Sequence, residues 1–331
     1  MGRQQACHEF PILMNQVFLI GAGFTRAIMG QKAPLADEIM PQLIISDFPE
    51  IIEDYEKTFP DIEQFITALD LRCLRFARTN LSLAERLDRA RDNVVEQIVK
   101  MVDVGALSVD SLDNFSDLKK FIEIVPSKSM ILTLNYDCVL DQGLWLSNRW
   151  HPGGGYYTSS FPCSDDENKK KDDILLLKLH GSCNYRNSPD YRKYPKIEIS
   201  DKIFLNISSQ INTRDSNLDD GAHVLVMSYL KIYHNGIMQL WRKAIESFKE
   251  TDKLVIIGCS LREEDTFLKF ALYHFGMKEN TEKFYIDVID IGEENCRSLE
   301  NKVKNLVARP DHQEINLYNT GLKGYLAACP S

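Results

Sequence analysis

The chain has 331 residues, of which 44% are apolar, so it can bury a large core in one α/β domain or in two smaller ones. Its formal net charge of −9 argues against a general phosphate-backbone binder, because such proteins usually carry a basic face. No apolar run is long enough to predict a membrane span, and the N-terminus lacks the apolar core of a secretory signal. We therefore expect a cytoplasmic protein with no membrane association and no direct nucleic-acid binding.

The eight cysteines do not form metal-ligand patterns. No two of them form a C-x-x-C pair, and none has zinc-ligand spacing with a histidine. The even number also allows disulfides, but a long chain without a signal peptide favours reduced thiols. We therefore expect free cysteines and no metal ion.

The first predicted strand lies in the segment QVFLIGAGFT, Gln16 to Thr25, an apolar run that ends in a glycine turn. A helix is expected to begin after it, at Thr25 or Arg26. The region from about residue 34 to residue 128 has apolar residues at three- and four-residue intervals and many charges, as amphipathic helices do. We interpret this region as a helical insertion.

The second predicted strand is MILTLNYD, Met130 to Asp137, and the segment YDCVLDQGLW predicts the helix after it. From about residue 151 to residue 173 the chain is rich in glycine and then in charged residues, which predicts a mobile loop. The run ILLLKL that follows is apolar except for Lys178, and it predicts a buried strand that stops at His180.

Strands and helices continue to alternate in the C-terminal half. Apolar segments predict strands in AHVLVMS, DKLVIIGCS, KFYIDVIDIG and EINLYN, and helices are predicted in GIMQLWRKAIESFKE, EEDTFLKFALYHF and the region near residues 296–306. Strand, turn and helix in repetition is the pattern of a parallel sheet that is covered on both faces. The predicted fold class is therefore α/β, with a Rossmann-like parallel sheet, helices on both faces and a large helical insertion after the first strand, turn and helix.

Four of the predicted strands end in glycine or polar residues. The four segments are Gly21-Ala22-Gly23-Phe24-Thr25, Thr133-Leu134-Asn135-Tyr136-Asp137, His180-Gly181-Ser182 and Gly258-Cys259-Ser260. Because the carboxyl ends of parallel strands meet at one edge of a sheet, these segments should converge on one crevice.

The glycine turn allows two interpretations. Gly21 and Gly23 let the backbone approach a pyrophosphate at the start of a helix. However, Arg26 occupies the position at which a dinucleotide fingerprint has its third glycine. The alternative interpretation, a tight turn that binds no ligand, is therefore kept. Gly258 and Ser260 likewise either form a turn or hold the adenosine side of a nucleotide.

The polar residues at the other strand ends also have structural alternatives. Asn135 and Asp137 either bind a ligand or cap the following helix. His180 has general-base chemistry available near neutral pH, or it simply satisfies a backbone carbonyl at the edge of the core. Asp290 either accepts a hydrogen bond from a ribose hydroxyl or caps a loop. Ser182 is not expected to be a nucleophile, because the G-x-S-x-G elbow is absent.

Taken in order, the segments GAGFT, TLNYD, KLHGS and IIGCSL resemble the motifs of the sirtuin family. The resemblance spans most of the chain, from Gly21 to about Asp290. The chain departs from protein-deacylating sirtuins in lacking the C-x-x-C pairs of their zinc module, in having Leu134 and Tyr136 beside Asn135, and in the continuation RAIMGQKAPLADEI. This combination looks like the divergent bacterial branch of sirtuin-like domains, many of which are NAD hydrolases in antiphage defence.

The resemblance implies one sirtuin-like NAD-binding domain over residues 1–331 and cleavage of the nicotinamide–ribose bond of NAD+ without a metal. It implies that Asn135, Asp137 and His180 are catalytic. It implies that the remaining predicted site residues bind the dinucleotide: Gly21, Ala22, Gly23, Phe24, Thr25, Gly181, Gly258, Ser260 and Asp290. In this interpretation, Gly181 leaves room for the substrate beside His180.

Two other functions stay open. One is an NAD-dependent protein deacylase, which would share the cofactor and His180. The other is a non-catalytic sensor subunit that holds NAD or ADP-ribose. Because an unregulated NAD hydrolase would be toxic, we also expect control by assembly into a homo-oligomer or by a defence partner such as a hexameric ATPase translocase or an Argonaute-type protein.

Overall fold

The computed structural model describes residues 15–43, 58–59, 61–105, 107, 109–157, 174–187, 197–199, 223–230, 235–279 and 283–329. The strands in chain order are β1 (Gln16–Ile20), β2 (Met130–Thr133), β3 (Leu175–Lys178), β4 (Gly181–Asn187), β5 (Ile197–Ile199), β6 (His223–Leu225), β7 (Lys253–Ile257), β8 (Phe284–Ile289) and β9 (Gln313–Tyr318). The α-helices are α1 (Ala22–Met29), α2 (Ala36–Ile39), α3 (Ile62–Phe76), α4 (Leu81–Val102), α5 (Val109–Asn114), α6 (Ser116–Ile124), α7 (Val139–Leu146), α8 (Pro152–Gly155), α9 (Asn235–Lys249), α10 (Thr266–Tyr273), α11 (Glu293–Leu306) and α12 (Gly321–Ala328).

The main sheet has six strands in the order β3-β2-β1-β7-β8-β9, and each neighbouring pair is parallel. Helices pack around it: α9, α10 and α11 contact one another in turn, and α1, α6, α7 and α12 form a second group. The predicted Rossmann-like α/β fold is therefore confirmed. The chain builds outward from β1 to β3 and then returns to add β7 beside β1, so its direction reverses between β1 and β7. A crevice for a ligand opens outside the carboxyl ends of the strands at such a reversal.

Strands β1, β2, β3, β7 and β8 form because their sequences are nearly continuous apolar runs, as strands buried on both faces must be. The edge strand β9 is more polar and has no buried residue. In β1 and β7, the last four residues of each strand are buried. Burial of each such aliphatic side chain contributes about 1.5–3 kcal/mol. The sheet is thus a rigid platform for the loops that follow its strands.

Two predicted boundaries at the carboxyl edge were wrong. Helix α1 begins at Ala22 rather than at Thr25 or Arg26, because the Phe24 N–H already bonds to the Gly21 carbonyl at 3.0 Å. Strand β2 ends at Thr133 rather than at Asp137. The hydroxyl of Thr133 accepts the Asn135 N–H at 3.1 Å, which takes that N–H out of the sheet ladder.

A second sheet, which the sequence did not predict, follows His180. It has three antiparallel strands in the order β5-β4-β6, and β4 begins at Gly181. The chain therefore does not turn into a helix after His180. His180 lies between β3 of the main sheet and β4 of this small sheet, so both sheets fix its position.

The described part of the helical insertion (residues 34–128) contains helices α2 to α6. Asp61 caps α3 by accepting the Glu63 and Gln64 N–H groups at 2.9 and 3.2 Å, and Asn80 caps α4. Helices α3 and α4 enclose an apolar cluster that reaches the small sheet: it includes Phe65, Leu69, Leu87, Val94, Ile98, Cys183, Leu225 and Met227. The insertion is thus docked against the chain beside His180.

Parts of the predicted insertion and loop, residues 44–57 and 158–173, lie outside the described residues. The start of the predicted loop forms the short helix α8 instead, because Pro152 is pre-organised for the first helical position. In the part of the chain that the structure describes, no helix has both the length and the apolar surface needed to cross a bilayer.

Candidate functional site

A cavity of about 460 Å³ opens at the carboxyl edge of the main sheet, next to the reversal between β1 and β7. Its volume falls in the usual range for small-molecule sites, about 300–1,000 Å³. Most of the predicted site residues line it: Gly21, Ala22, Gly23, Thr25, Asn135, Asp137, His180, Gly258, Ser260 and Asp290. The structure thus brings residues from all four strand ends together. What they bind stays a prediction.

The glycines of the β1 and β7 turns allow these two turns to touch. A Cβ atom on Gly21 would lie 2.4 Å from the Gly258 oxygen, and one on Gly23 would lie 2.8 Å from the Gly258 Cα atom. Gly258 has a φ of +55°, and its own Cβ would lie 2.5 Å from the Phe24 nitrogen. The glycines therefore serve the close packing of two backbones. All three glycines also line the cavity, where they form a floor of backbone atoms that a phosphate can approach closely.

Phe24 does not line the cavity. Its side chain is 1% exposed, and its ring packs edge-on against Phe121 with 4.8 Å between ring centroids. The predicted dinucleotide-binding role of Phe24 is replaced by a role in the core, because α1 turns that side chain towards α6.

Gly181 does not line the cavity either. It has a φ of +88°, and an added Cβ atom would lie 2.1 Å from the carbonyl oxygen of Val224 in β6. The space beside Gly181 is thus occupied by the neighbouring strand and is not left open for a substrate. A glycine is required there because the small sheet pairs at this point.

Gly181→Ala is expected to lower the free energy of unfolding by about 3 kcal/mol, because it combines an unfavourable backbone conformation with a clash against β6. Gly30→Ala is the matched control: Gly30 has a φ of +61° but nothing within 4 Å of an added Cβ atom. We expect that control to cost less, about 1–2 kcal/mol, because it carries the backbone penalty alone. Urea denaturation of both variants measures the difference, and equal losses would contradict the crowding at β6.

Asn135 and Asp137 tie the β1 and β2 turns together. The Asn135 side-chain nitrogen donates to the Gly21 carbonyl and to the Thr25 hydroxyl, both at 3.0 Å, and Thr25 donates to Asp137 at 2.9 Å. Asp137 also accepts the Val139 N–H at 3.0 Å, so it caps the start of α7 as well as lining the cavity. Within the described residues the Asn135 Oδ1 atom has no hydrogen-bond partner, which leaves it available to a ligand.

The carboxyl group of Asp137 has an unusual electrostatic environment. Burial raises its pKa above the usual range, although nearby Lys178, the Val139 N–H and the Thr25 hydroxyl oppose the shift. A carboxyl group with a raised pKa inside a cavity is a frequent feature of functional sites, and structural networks also produce it.

His180 forms a buried pair with Asp265. Its Nε2 atom lies 2.8 Å from the Asp265 Oδ2 atom, and the two residues are only 4% and 3% exposed. A carboxylate can only accept a hydrogen bond, so we assign the ring hydrogen to Nε2, which leaves the lone pair on Nδ1. The second Asp265 oxygen accepts the Leu268 N–H at 3.1 Å and caps α10. The pair therefore orients the imidazole and makes Nδ1 the basic atom.

Two aromatic rings and a second carboxylate complete the surroundings of His180. The rings of Tyr136 and Trp241 lie 6.3 and 6.1 Å from the imidazole, centroid to centroid. The Glu63 Oε1 atom, from the first turn of α3, lies 3.8 Å from Nδ1. Burial raises the pKa of Tyr136 well above its usual range, and the Glu63 charge adds to the shift.

Sequence reasoning did not find Glu63 or Asp265 as site residues. Both are carboxylates at the start of a helix, where the helix dipole and a free N–H group already account for them. Asp265 is 85 positions away from His180 in the chain. No local signal connects them, and only the fold reveals the contact.

Behind the cavity, the contacts of Lys178 explain why the buried strand β3 contains one charged residue. Lys178 and Asp141 are 0% and 1% exposed, and the Lys178 Nζ atom lies 3.1 Å from Asp141 Oδ2. Nζ also donates to the backbone oxygen of Asp137. Burial alone would lower the pKa of Lys178, but the Asp141 carboxylate raises it above the usual range. The buried pair thereby supports the loop that carries Asn135 and Asp137.

Among the described residues, no group of three or more histidine, cysteine, aspartate or glutamate side chains is arranged to hold a metal ion.

Comparison with known proteins identifies the family. A family model described as a SIR2-like domain matches residues 129–303, which is more than half of the 331-residue chain. Solved structures of Sir2 proteins are similar over 95% of this chain and 90% of theirs. One is bound to a propionylated peptide (12% identity, TM-score 0.36), one to a p53 peptide and NAD+ (12%, 0.35) and one to an acetylated peptide (11%, 0.35).

No curated protein matches the sequence. The family assignment therefore depends on the family model, which covers the segment that carries Asn135, His180 and the β7 turn. The chain belongs to the SIR2-like domain family.

Proposed function

We propose that this chain is an NAD+ glycohydrolase, which cleaves the nicotinamide–ribose bond to give nicotinamide and ADP-ribose. The observation that supports the proposal best is the cavity in which a bare glycine floor, the free Asn135 oxygen and the His180–Asp265 pair lie together. The SIR2-like family adds NAD-linked chemistry, since one Sir2 structure named above contains NAD+.

The dinucleotide would lie along the carboxyl edge of the sheet. Gly21, Gly23 and Gly258 would accommodate the pyrophosphate, next to the N-terminus of α1 and its positive dipole end. Ser260 and Asp290 would hold the adenosine end, with Asp290 accepting a hydrogen bond from a ribose hydroxyl. This orientation directs the nicotinamide ribose towards Asn135 and His180.

The reaction needs a positioned water and an environment that favours positive charge. The C1′–N bond breaks with its electron pair going to the nicotinamide ring, which leaves as a neutral molecule. Water forms the new bond to C1′, and its proton goes to Nδ1 of His180. The carboxylates of Asp137, Asp265 and Glu63 around the cavity would favour the cationic, oxocarbenium-like transition state.

Asn135 would orient the ribose or the attacking water through its Oδ1 atom. Its amide nitrogen is already fixed by Gly21 and Thr25, so the oxygen has one orientation. Such pre-orientation lowers the entropy cost of bringing water and ribose together.

The proposal is tested by incubating the purified full chain with NAD+ and separating the products by chromatography, with NAD+ binding measured in the same samples. The wild type is expected to release nicotinamide and ADP-ribose. Asn135→Ala is expected to lower the rate about 10²-fold, as the loss of one orienting polar group does in other enzymes. Asn93→Ala, on the exposed face of α4, is the matched control and should keep the wild-type rate.

Three other outcomes would contradict the proposal in different ways. Nicotinamide release that depends on an acylated lysine peptide would make the chain a protein deacylase. NAD+ binding without turnover would indicate a sensor subunit. Neither binding nor turnover would show that the cavity holds another class of ligand.

On the family resemblance alone, we also propose that NAD+ depletion serves antiphage defence in the cytoplasm. One sirtuin-like domain with a helical insertion would carry the activity. Control would come from homo-oligomer assembly or from a partner such as a hexameric ATPase translocase or an Argonaute-type protein. Full activity of a species that remains monomeric at micromolar concentration would contradict control by self-assembly.

A further inference from the structure

Glu63 is a buried carboxylate that connects the helical insertion to the candidate site. It is 7% exposed and lies in the first turn of α3, where its charge is favourable to the helix dipole. Its Oε1 atom is 3.8 Å from the Nδ1 atom of His180. Asp265 contacts the other ring nitrogen, so each nitrogen of His180 faces one carboxylate.

Arg262 places a positive charge beside Glu63 without a hydrogen bond between the two side chains. It lies in the β7–α10 loop, its NH1 group is 3.9 Å from Glu63 Oε2, and it forms an ion pair with Asp61. Asp61 is the N-cap of α3 and accepts the backbone N–H of Glu63 at 2.9 Å. The first turn of α3 is thus clamped to the loop that also carries Asp265.

We infer that Glu63 is a positioning residue for His180, and that Arg262 and Asp61 hold its helix turn in place from two different parts of the chain. The inference rests on the proposed NAD+ hydrolysis for its kinetic consequence, but its geometric content is independent of any activity. Glu63 acts through the imidazole: its negative charge stabilises the ring when Nδ1 has accepted a proton.

The charges around the ring make this assignment specific. Glu63 approaches from α3, Asp265 and Arg262 from the β7–α10 loop, and Tyr136 from the loop after β2, while Trp241 of α9 offers a neutral face. Asp265 selects the tautomer of the neutral ring. Glu63 is the carboxylate on the Nδ1 side, so it is the group that compensates the positive charge that forms there.

Glu63→Gln is the central variant, because it keeps the shape of the side chain and removes the charge. We expect kcat for NAD+ cleavage to fall about tenfold, with KM unchanged. A factor of ten is the electrostatic effect that corresponds to one pKa unit. Glu264→Gln is the matched control: it removes an exposed carboxylate from the β7–α10 loop and should change neither parameter.

The same substitution in a His180→Asn background separates positioning from a general structural effect. If Glu63 acts through His180, Glu63→Gln should cause no further loss of rate in that background. A further tenfold loss would show that Glu63 acts on the substrate or on the fold, and would overturn the inference.

A spectroscopic measurement tests the geometry even if the wild type does not turn over NAD+. The chain has seven histidines, and with ¹⁵N-labelled histidine the ring signals of His180 are those lost in His180→Asn. We expect Glu63→Gln to shift the His180 Nδ1 signal and Glu264→Gln to leave it in place. An inactive wild type with a shifted signal would contradict only the proposed function, whereas an unshifted signal would overturn the inference.

Discussion

Replacing His180 with asparagine is expected to lower the rate of NAD+ cleavage by about 10²–10⁴-fold, the contribution that a general base usually makes. Asparagine keeps a polar side chain near Asp265 but has no basic nitrogen. The attacking water would then lose its proton acceptor, while the glycine floor and Asn135 would still bind the dinucleotide. The measurement is the rate of nicotinamide release at saturating NAD+, together with the Kd for NAD+.

His312→Asn provides the matched control, because it makes the same substitution at an exposed histidine outside the cavity. It should keep the wild-type rate. Thermal unfolding of both variants would identify any loss of structure. If His180→Asn retained more than about a hundredth of the wild-type rate, His180 would not be the base, because loss of a general base costs at least about 10²-fold.

The sequence predicts most of the main sheet well because all of its strands except β9 are largely buried. Apolar runs such as the one in β1 need no knowledge of their partners, since any position inside the sheet requires them. The parallel arrangement then follows from the alternation with helices, and with it the prediction that four strand ends meet. The cavity lies where that prediction expected it.

The sequence does not predict which contact each glycine serves. Gly181 is conspicuous as a glycine after a histidine, and a substrate beside it is a reasonable local interpretation. The structure fills that space with Val224 of β6, a residue far along the chain. Phe24 is misread for the same reason, because the direction of its side chain depends on where α6 packs.

The carboxylates around His180 show a second limit of sequence reasoning. Asp265 and Glu63 are each accounted for by their own helix start, so neither looks functional locally. Asp265 in fact uses one oxygen for the helix cap and the other for His180. When a residue makes both a local contact and a contact with a distant part of the chain, the sequence indicates only the local contact.

Lys178→Met is expected to lower the free energy of unfolding by about 3–5 kcal/mol, the usual cost of leaving one partner of a buried ion pair without compensation. Methionine fits the apolar surroundings of β3, so the loss comes from Asp141, which keeps its charge and its contact with the Tyr156 hydroxyl but loses the ammonium group. The Asp137 backbone oxygen also loses a donor, so the loop that carries Asn135 should become less ordered.

Urea denaturation of Lys178→Met, of Lys304→Met and of the double variant Lys178→Met/Asp141→Leu tests this account. Lys304 pairs with Glu300 on the surface of α11, with 49% of its side chain exposed, so its loss should cost no more than about 0.5 kcal/mol. The double variant should recover much of the stability that the single variant loses, because it removes the uncompensated charge. If Lys178→Met were no more destabilising than Lys304→Met, the buried pair would not support the site, and the lone lysine of β3 would need another explanation.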